Sequence, residues 1–508
     1  MQLRVRHIAR NVVFNWLGTI ISMVVSLYLA PFILHRLGIV AYGVWMLAVS
    51  AVAYLALLDL GMQNAVLRFV SKGYTRGDHE AASDAMSAAL WVRLQISGLI
   101  LLLSIGLSAV FPLVFKVPAE LAGDARKAIL LIGTTTALTM SIGVLGGVLS
   151  ALNRYDLSNI IGIFSNALRV AGVIYVLRSG HGIVAIAVCE LISTTTGTLL
   201  VVVVARRLYP QLKIRLTKPA GSTLRQIWTY SSFAFLNTVA VQLVYQTDNL
   251  VVGAFVSAAA VALYGIANSQ LIRTANTLVN SVGSTFVPAA STYEAAGDTA
   301  KLLSLYKNGT RFTMAISLPI LITFITRGST FISLWLGQEY ARVPGIVLIL
   351  LSIPMIFTHG NRTASAIAFG IEKHGAPAIA TLVEGFANLG LSIFLVQWHH
   401  LGVYGVAIGT MVPSLIVQLF FWPRYISRLV GLSAFEVLWE VWGPMFLAAL
   451  PFAALSYWID RAFPPHNLVI YFLQVIAVLP VFLAAVAIVF RGYVRSIIFP
   501  RIAAMLST

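Results

Sequence analysis

Seven ionisable side chains interrupt runs that are otherwise apolar enough for lipid: Arg93, Arg169, Glu190, Asp248, Arg273, Arg362 and Glu384, with Asp59 near the end of another run. A charge at bilayer depth costs about 2.5–3.5 kcal/mol on insertion scales, so each needs a partner or water. Their depths permit acid–base pairing on sequential helices: Arg169 with Glu190, Asp248 with Arg273, and Arg362 with Glu384. Arg93 has Asp59 as its one candidate acid. Such pairs either lock a bundle or face a wet cleft and meet a cargo or a coupling ion. Arginine suits phosphate or pyrophosphate because its planar fork bonds two oxygens at once. Asp248, Glu190, Glu384 and Asp59 are the candidates for ion pairing or coupling. Arg273, Arg93, Arg169 and Arg362 are the candidates for binding an anionic group, with Asn15, Gln242, Asn276 and Asn280 as neutral partners. Arg273, Asn276 and Asn280 are spaced i, i+3, i+7 and share one helix face.

The elements that hold these residues are membrane helices. Only 10% of the residues are charged and 59% are hydrophobic, with a mean hydropathy of +0.89. A soluble domain is about one quarter charged. Apolar runs long enough to cross a bilayer lie near 11–34, 41–61, 85–111, 126–151, 157–177, 182–205, 228–256, 261–290, 310–326, 344–371, 377–398, 403–423, 441–459 and 468–490. The sequence therefore predicts an all-α integral membrane protein of about fourteen transmembrane helices. On this topology Lys and Arg on the side of both termini outnumber those on the other side by more than two to one. That bias places both ends in the cytoplasm and accounts for the net charge of +17 without nucleic acid.

The chain also matches itself at a constant offset. Asn15 aligns with Asn237, Tyr42-Gly43 with Tyr264-Gly265, Asn166 with Asn388, Gly180 with Gly402, and Val184-Ala185-Ile186 with Val406-Ala407-Ile408. Six helices per repeat give both copies the same orientation. The expected plan is two parallel six-helix bundles around a central cleft, at 1–205 and 228–425, joined by a basic cytoplasmic linker at 206–227. Residues 426–508 add helices thirteen and fourteen and a cytoplasmic tail. Parallel repeats of this kind belong to alternating-access transporters. No G-x-x-x-x-G-K-[ST] phosphate loop, H-E-x-x-H motif or clustered metal-ligand set occurs, and the single cysteine is Cys189. No cofactor or metal is expected, and no enzymatic activity.

Two stretches carry a resemblance. "LGIVAYGVWMLAVSAVAYLALLDLGMQNAVLRFVSK" (37–72) holds Leu37-Gly38, Tyr42-Gly43 and Asp59-Leu60-Gly61, and "YQTDNLVVGAFVSAAAVALYGIANSQL" (245–271) opens the second half with an acid before an aliphatic stretch and a Tyr-Gly pair. Both resemble bacterial polysaccharide-biosynthesis flippases of the multidrug/oligosaccharidyl-lipid/polysaccharide exporter superfamily. The likeness implies transport of undecaprenyl-pyrophosphate-linked oligosaccharide units from the inner to the outer leaflet of the cytoplasmic membrane, for lipopolysaccharide or exopolysaccharide assembly. It implies a cationic head-group site, best matched here by Arg273, and a polysaccharide polymerase and chain-length machinery as protein partners. Residues 11–34 carry none of the charges found in the first helix of the lipid II flippase branch, whereas fourteen helices suit that branch. The subfamily therefore stays open. A cation-coupled drug or solute exporter of the same superfamily is the competing transporter, and a membrane glycosyltransferase or polymerase the competing enzyme. External loops that are short and poor in acids argue against the enzyme.

Overall fold

The computed structural model describes residues 23–59, 70–152, 154–215, 239, 242–244 and 246–491. All regular secondary structure among them is helical. Eleven helices among the described residues are long and apolar enough to cross a membrane, and each answers to one of the expected runs. The other three runs do not appear as single spans. Only Met23–Leu37 of the first is described, and 228–238 of the seventh lies outside the described residues, as does Asn15. The run at 261–290 is helical to Gly283, with a π-helical stretch at Ile266–Ile272, and is interrupted at 284–285 before the next helix.

The chain divides into two compact units, Met1–Gly265 and Ile266–Thr508. The described part of the first holds α1 (Met23–Leu37), α2 (Ile39–Ala53) with a 3-10 turn at Leu55–Asp59, α3 (His79–Val114) and α4 (Ala119–Ile142). A short α5 (Gly146–Ala151), α6 (Tyr155–Arg178) and α7 (Ile183–Leu208) follow, then a helix over 246–255 and α8 (Ala258–Gly265). The second unit opens on a π-helical turn, Ile266–Ile272, that leads into α9 (Arg273–Gly283) and α10 (Phe286–Ala295). Next come α11 (Thr299–Leu336), α12 (Arg342–Gly360), α13 (Arg362–Gly370), α14 (Gly375–Gln397), α15 (Gly402–Ile416) and α16 (Trp422–Val430). A π-helical stretch at Val417–Phe421 joins α15 to α16, another at Val437–Trp442 leads into α17 (Gly443–Ala462), and α18 (Leu468–Val489) closes the unit.

The two units repeat a local logic. α3 and α11 both start on a Gly-Asp pair: Gly77 and Gly297 take φ of 71° and 66°, and the Asp78 and Asp298 carboxylates accept from the backbone N–H three residues on. Left-handed φ favours glycine, and an Asp N-cap satisfies a donor the helix start leaves open. Bonds from the Lys301 side chain, and then its backbone N–H, hold the Asp298 carboxyl below the usual carboxylate range. Gly180 and Gly402, paired by the sequence offset, both turn the chain with positive φ, at 78° and 53°.

Helix hairpins close on a glycine facing a serine. A methyl group on Gly133 would lie 2.1 Å from Ser104 Oγ, on Gly197 2.2 Å from Ser165 Oγ, on Gly345 2.1 Å from Ser329 Oγ, and on Gly409 2.2 Å from Ser392 Oγ. These contacts join α3 to α4 and α6 to α7 in one unit, and α11 to α12 and α14 to α15 in the other. Lipid offers little hydrophobic drive between helices, so close backbone approach through small residues holds the bundle. The tightest approach is Gly43 of α2, where a Cβ would stand 1.8 Å from the backbone oxygen of Ala258 at the start of α8. Gly43→Val is expected to cost about 1–3 kcal/mol by overpacking, read as earlier thermal unfolding in detergent. Gly98→Ala, where nothing lies within 4 Å, is the neutral control.

Candidate functional site

In the first unit a buried polar band runs between α2 and the helix over 246–255. Ser50, Ala53 and Tyr54 lie within about one turn of each other on α2. Asn249 Nδ2 donates to Ser50 Oγ at 2.8 Å, and Gln242 Nε2 donates to the Ala53 carbonyl at 2.8 Å. The Tyr54 hydroxyl bonds the Thr247 hydroxyl. Asp248 is 1% exposed, and Tyr264 Oη of α8 donates to its Oδ2 at 2.5 Å. The cost of that carboxylate in an apolar run is thus offset in part by a tyrosine sixteen residues on.

At the end of the 3-10 turn, Asp59 pairs with the Arg93 guanidinium of α3, and Arg93 Nη1 also donates to the Met140 carbonyl at 3.2 Å. Arg93 is 3% exposed, so the acid the sequence offered it is its partner in the interior. Arg169 and Glu190 also meet, at 3.8 Å between Nε and Oε2, with about a third of each side chain exposed. The Arg169 guanidinium donates as well to Asn166 Oδ1 at 2.9 Å, within its own helix.

In the second unit, Arg273 stands at the first position of α9, directly after the π-helical turn. Asn276 is buried, and Arg273 and Asn280 are half-buried. Arg362 begins α13 and folds over the far end of α9: a methyl group on Gly283 would lie 2.5 Å from its Cγ and 3.1 Å from its Nε. Glu384 is buried in α14 beside the Ser414 hydroxyl of α15. One turn on, Asn388 Oδ1 accepts from Ser392 at 2.9 Å and from Thr410 at 3.3 Å. Arg362 is thus placed on α9, and Glu384 on the α14–α15 contact. Among the described residues no group of three or more His, Cys, Asp or Glu is arranged to hold a metal.

One cluster involves none of the candidate residues, because the expected run at 310–326 stops one residue short of Arg327. α11 continues to Leu336, and Arg327 is fully buried within it. Its Nε donates to Asp460 Oδ1 of α17 at 3.0 Å, its guanidinium also bonds Gln474 of α18, and the Tyr471 ring lies 4.7 Å away. Thr330 Oγ1 donates to the other Asp460 oxygen at 2.8 Å. A lone arginine ended the apolar window, whereas a carboxylate from another helix lets it stay inside. The available signal was an unlike charge at the same end of the run at 441–459.

Comparison with known proteins adds relatives along most of the chain. It is 25% identical over 441 residues to the membrane protein EpsK of Bacillus subtilis (strain 168), covering 85% of each chain. It is 23% identical over 407 residues to Agl15 of Haloferax volcanii, named for a low-salt glycan biosynthesis flippase, covering 79% of this chain and 80% of that one. Among solved structures it superposes on the lipid II flippase MurJ in its inward closed conformation with a TM-score of 0.74 at 17% identity, over 95% of this chain and 99% of the other. That likeness shows a shared fold. The model of the family described as polysaccharide biosynthesis protein matches residues 37–344, more than half of the sequence, and the chain belongs to that family.

Proposed function

We propose that this protein is a flippase that carries undecaprenyl-pyrophosphate-linked oligosaccharide units from the inner to the outer leaflet of the cytoplasmic membrane by alternating access, both termini lying in the cytoplasm. Its family and the glycan-flippase name of one relative support the substrate class. The observation that carries the reading is the polar face of α9: Arg273 and Asn276 near its start, Asn280 within it, and Arg362 folded over Gly283 at its end. Two guanidinium groups along one helix suit the oxygens of a pyrophosphate, and the asparagines suit sugar hydroxyls. Glu384, bonded to a neutral hydroxyl, is the proposed coupling acid in this unit, and Asp248 in the other.

Arg273→Ala is expected to abolish surface polysaccharide while the protein reaches the membrane in normal amount. Complete lipid-linked units should then collect on the inner leaflet of cells making a labelled glycan. Unpolymerised units collecting on the outer leaflet would overturn the flipping step. For coupling, Asp248→Asn and Glu384→Gln are to be assayed across pH. Transport that survives both changes with its pH dependence unaltered excludes these acids as obligate proton carriers.

A further inference from the structure

The basic linker that follows α7 is held along α3 and is not a free loop. Tyr209 anchors it: the residue is 1% exposed, its hydroxyl bonds His79 Nδ1 at 2.8 Å, and the Tyr74 ring stands edge-on 5.2 Å away. The chain turns there, with the Leu212 N–H on the Tyr209 carbonyl at 3.2 Å. The backbone N–H groups of Lys213 and Arg215 then donate to Ser83 Oγ at 3.0 Å and Ser87 Oγ at 2.9 Å. Each serine also donates to its own helix, at the His79 and Ser83 carbonyls. Two strand residues and four helix residues both advance about 6 Å, so the linker runs parallel to α3 with matched spacing. Leu212 and Ile214 pack on the cluster that holds Val70, Met86 and Tyr209, and the alternation leaves Lys213 and Arg215 exposed.

That arrangement fixes the height of four cations. α3 has 36 residues and is about 54 Å long, against about 30 Å of hydrocarbon, so its first turns stand outside the bilayer. Ser87 lies at the start of its apolar run and Ser83 one turn earlier. Arg215 and Lys213 are therefore bonded at the level where hydrocarbon gives way to head groups. Arg206 and Arg207 reach the same level from α7, directly after the apolar run at 182–205, and both are exposed. None of the four side chains forms an ion pair among the described residues. The exposed acids Asp78, Glu80 and Asp84 precede Ser87 on α3 and so stand farther from the hydrocarbon. Charge bias alone sets only which side of the membrane a loop takes. Bonding of the linker backbone to α3 sets where its charges stand, and that is the level of lipid phosphates. A guanidinium fork bonds two phosphate oxygens at once, and each Lys or Arg near an anionic leaflet adds to binding. We propose that residues 206–215 form a lipid-binding strap, in which Arg206, Arg207, Lys213 and Arg215 hold the phosphates of anionic phospholipid in the inner leaflet. The choice of leaflet rests on the proposed topology, whereas the binding rests on neither cargo nor transport.

Hydrogen exchange of the full-length protein in glycan-free nanodiscs of phosphatidylglycerol or of phosphatidylcholine tests this without any variant. The amides of 211–215 are expected to exchange severalfold more slowly in phosphatidylglycerol, and equal exchange in the two lipids would overturn the strap. Both leaflets carry the lipid, so the result depends neither on topology nor on flipping. Titration of the detergent-solubilised protein with phosphatidylglycerol, followed by native mass spectrometry, should show about tenfold weaker binding for Lys213→Gln/Arg215→Gln. Arg424→Gln/Arg428→Gln removes the same charge from exposed positions on α16 and should leave binding unchanged. Equal losses in the two variants would reduce the effect to net charge and overturn the site. Ser83→Ala/Ser87→Ala keeps every charge and removes both acceptors, so binding should fall toward that of Lys213→Gln/Arg215→Gln. Binding untouched by the serine changes would overturn the role of the docked backbone.

Discussion

Arg327→Leu is expected to lower the stability of the membrane-embedded protein by about 3–5 kcal/mol, the cost of leaving one member of a buried ion pair alone. Asp460 would keep Thr330 as a donor and lose the guanidinium, while Gln474 would lose its strongest partner. The cluster joins α11 to α17 and α18, so the same change should loosen the last two helices. Unfolding free energy from steric trapping in bicelles, together with hydrogen exchange over 443–489, measures both effects. The double variant Arg327→Leu/Asp460→Leu should recover most of the loss, because apolar replacement of a whole buried pair is often neutral or better. A single-variant loss within about 1 kcal/mol, the range of exposed pairs, would show that the pair is not shielded.

The second large effect belongs to Arg93 and Asp59. Arg93 is 3% and Asp59 18% exposed, so Asp59→Leu leaves a guanidinium inside with the Met140 carbonyl and should cost a similar 3–5 kcal/mol. This pair also separates two roles. If Arg93 only locks α3 to the end of α2, the doubly apolar variant Arg93→Leu/Asp59→Leu should regain stability and transport together. If Arg93 contributes to head-group binding, that variant should regain stability and still fail to export glycan. Thermal unfolding and a surface-polysaccharide assay on the same three proteins distinguish these outcomes.

Much of the fold is legible in the sequence because membrane helices announce themselves by composition. Eleven expected runs coincide with spans, since a stretch that must be apolar over about 30 Å can be counted residue by residue. The failures have a common cause. The run at 261–290 stays helical through a π-helical stretch at Ile266–Ile272 and on to Gly283, and it breaks at 284–285. The run at 344–371 likewise divides at Asn361, where Gly360 lets the Trp442 indole approach. π turns and helix breaks arise where packing rewards them, and hydropathy sums carry no record of packing.

The candidate site divides in the same way. Residue types and depth along the helix were enough to name Arg93 with Asp59 and Arg169 with Glu190, because adjacent helices leave few partners at one depth. They could not yield Tyr264 as the donor to Asp248, Ser414 as the partner of Glu384, or Arg362 lying on Gly283. Those depend on how each helix is rotated about its axis, and rotation follows from contacts with neighbours far away in sequence.

The sequence by itself determined that this chain lives in a membrane, that it is helical, where most spans run, and that its interior charges need partners. Each of these follows from the cost of polar groups in hydrocarbon, which every residue meets locally. Only the tertiary structure decided that Arg327 is an interior residue paired with Asp460, and that Arg362 lies over Gly283 at the end of α9. A pairing exists only once separate helices have packed at a particular rotation and height, and the sum of local preferences does not fix either.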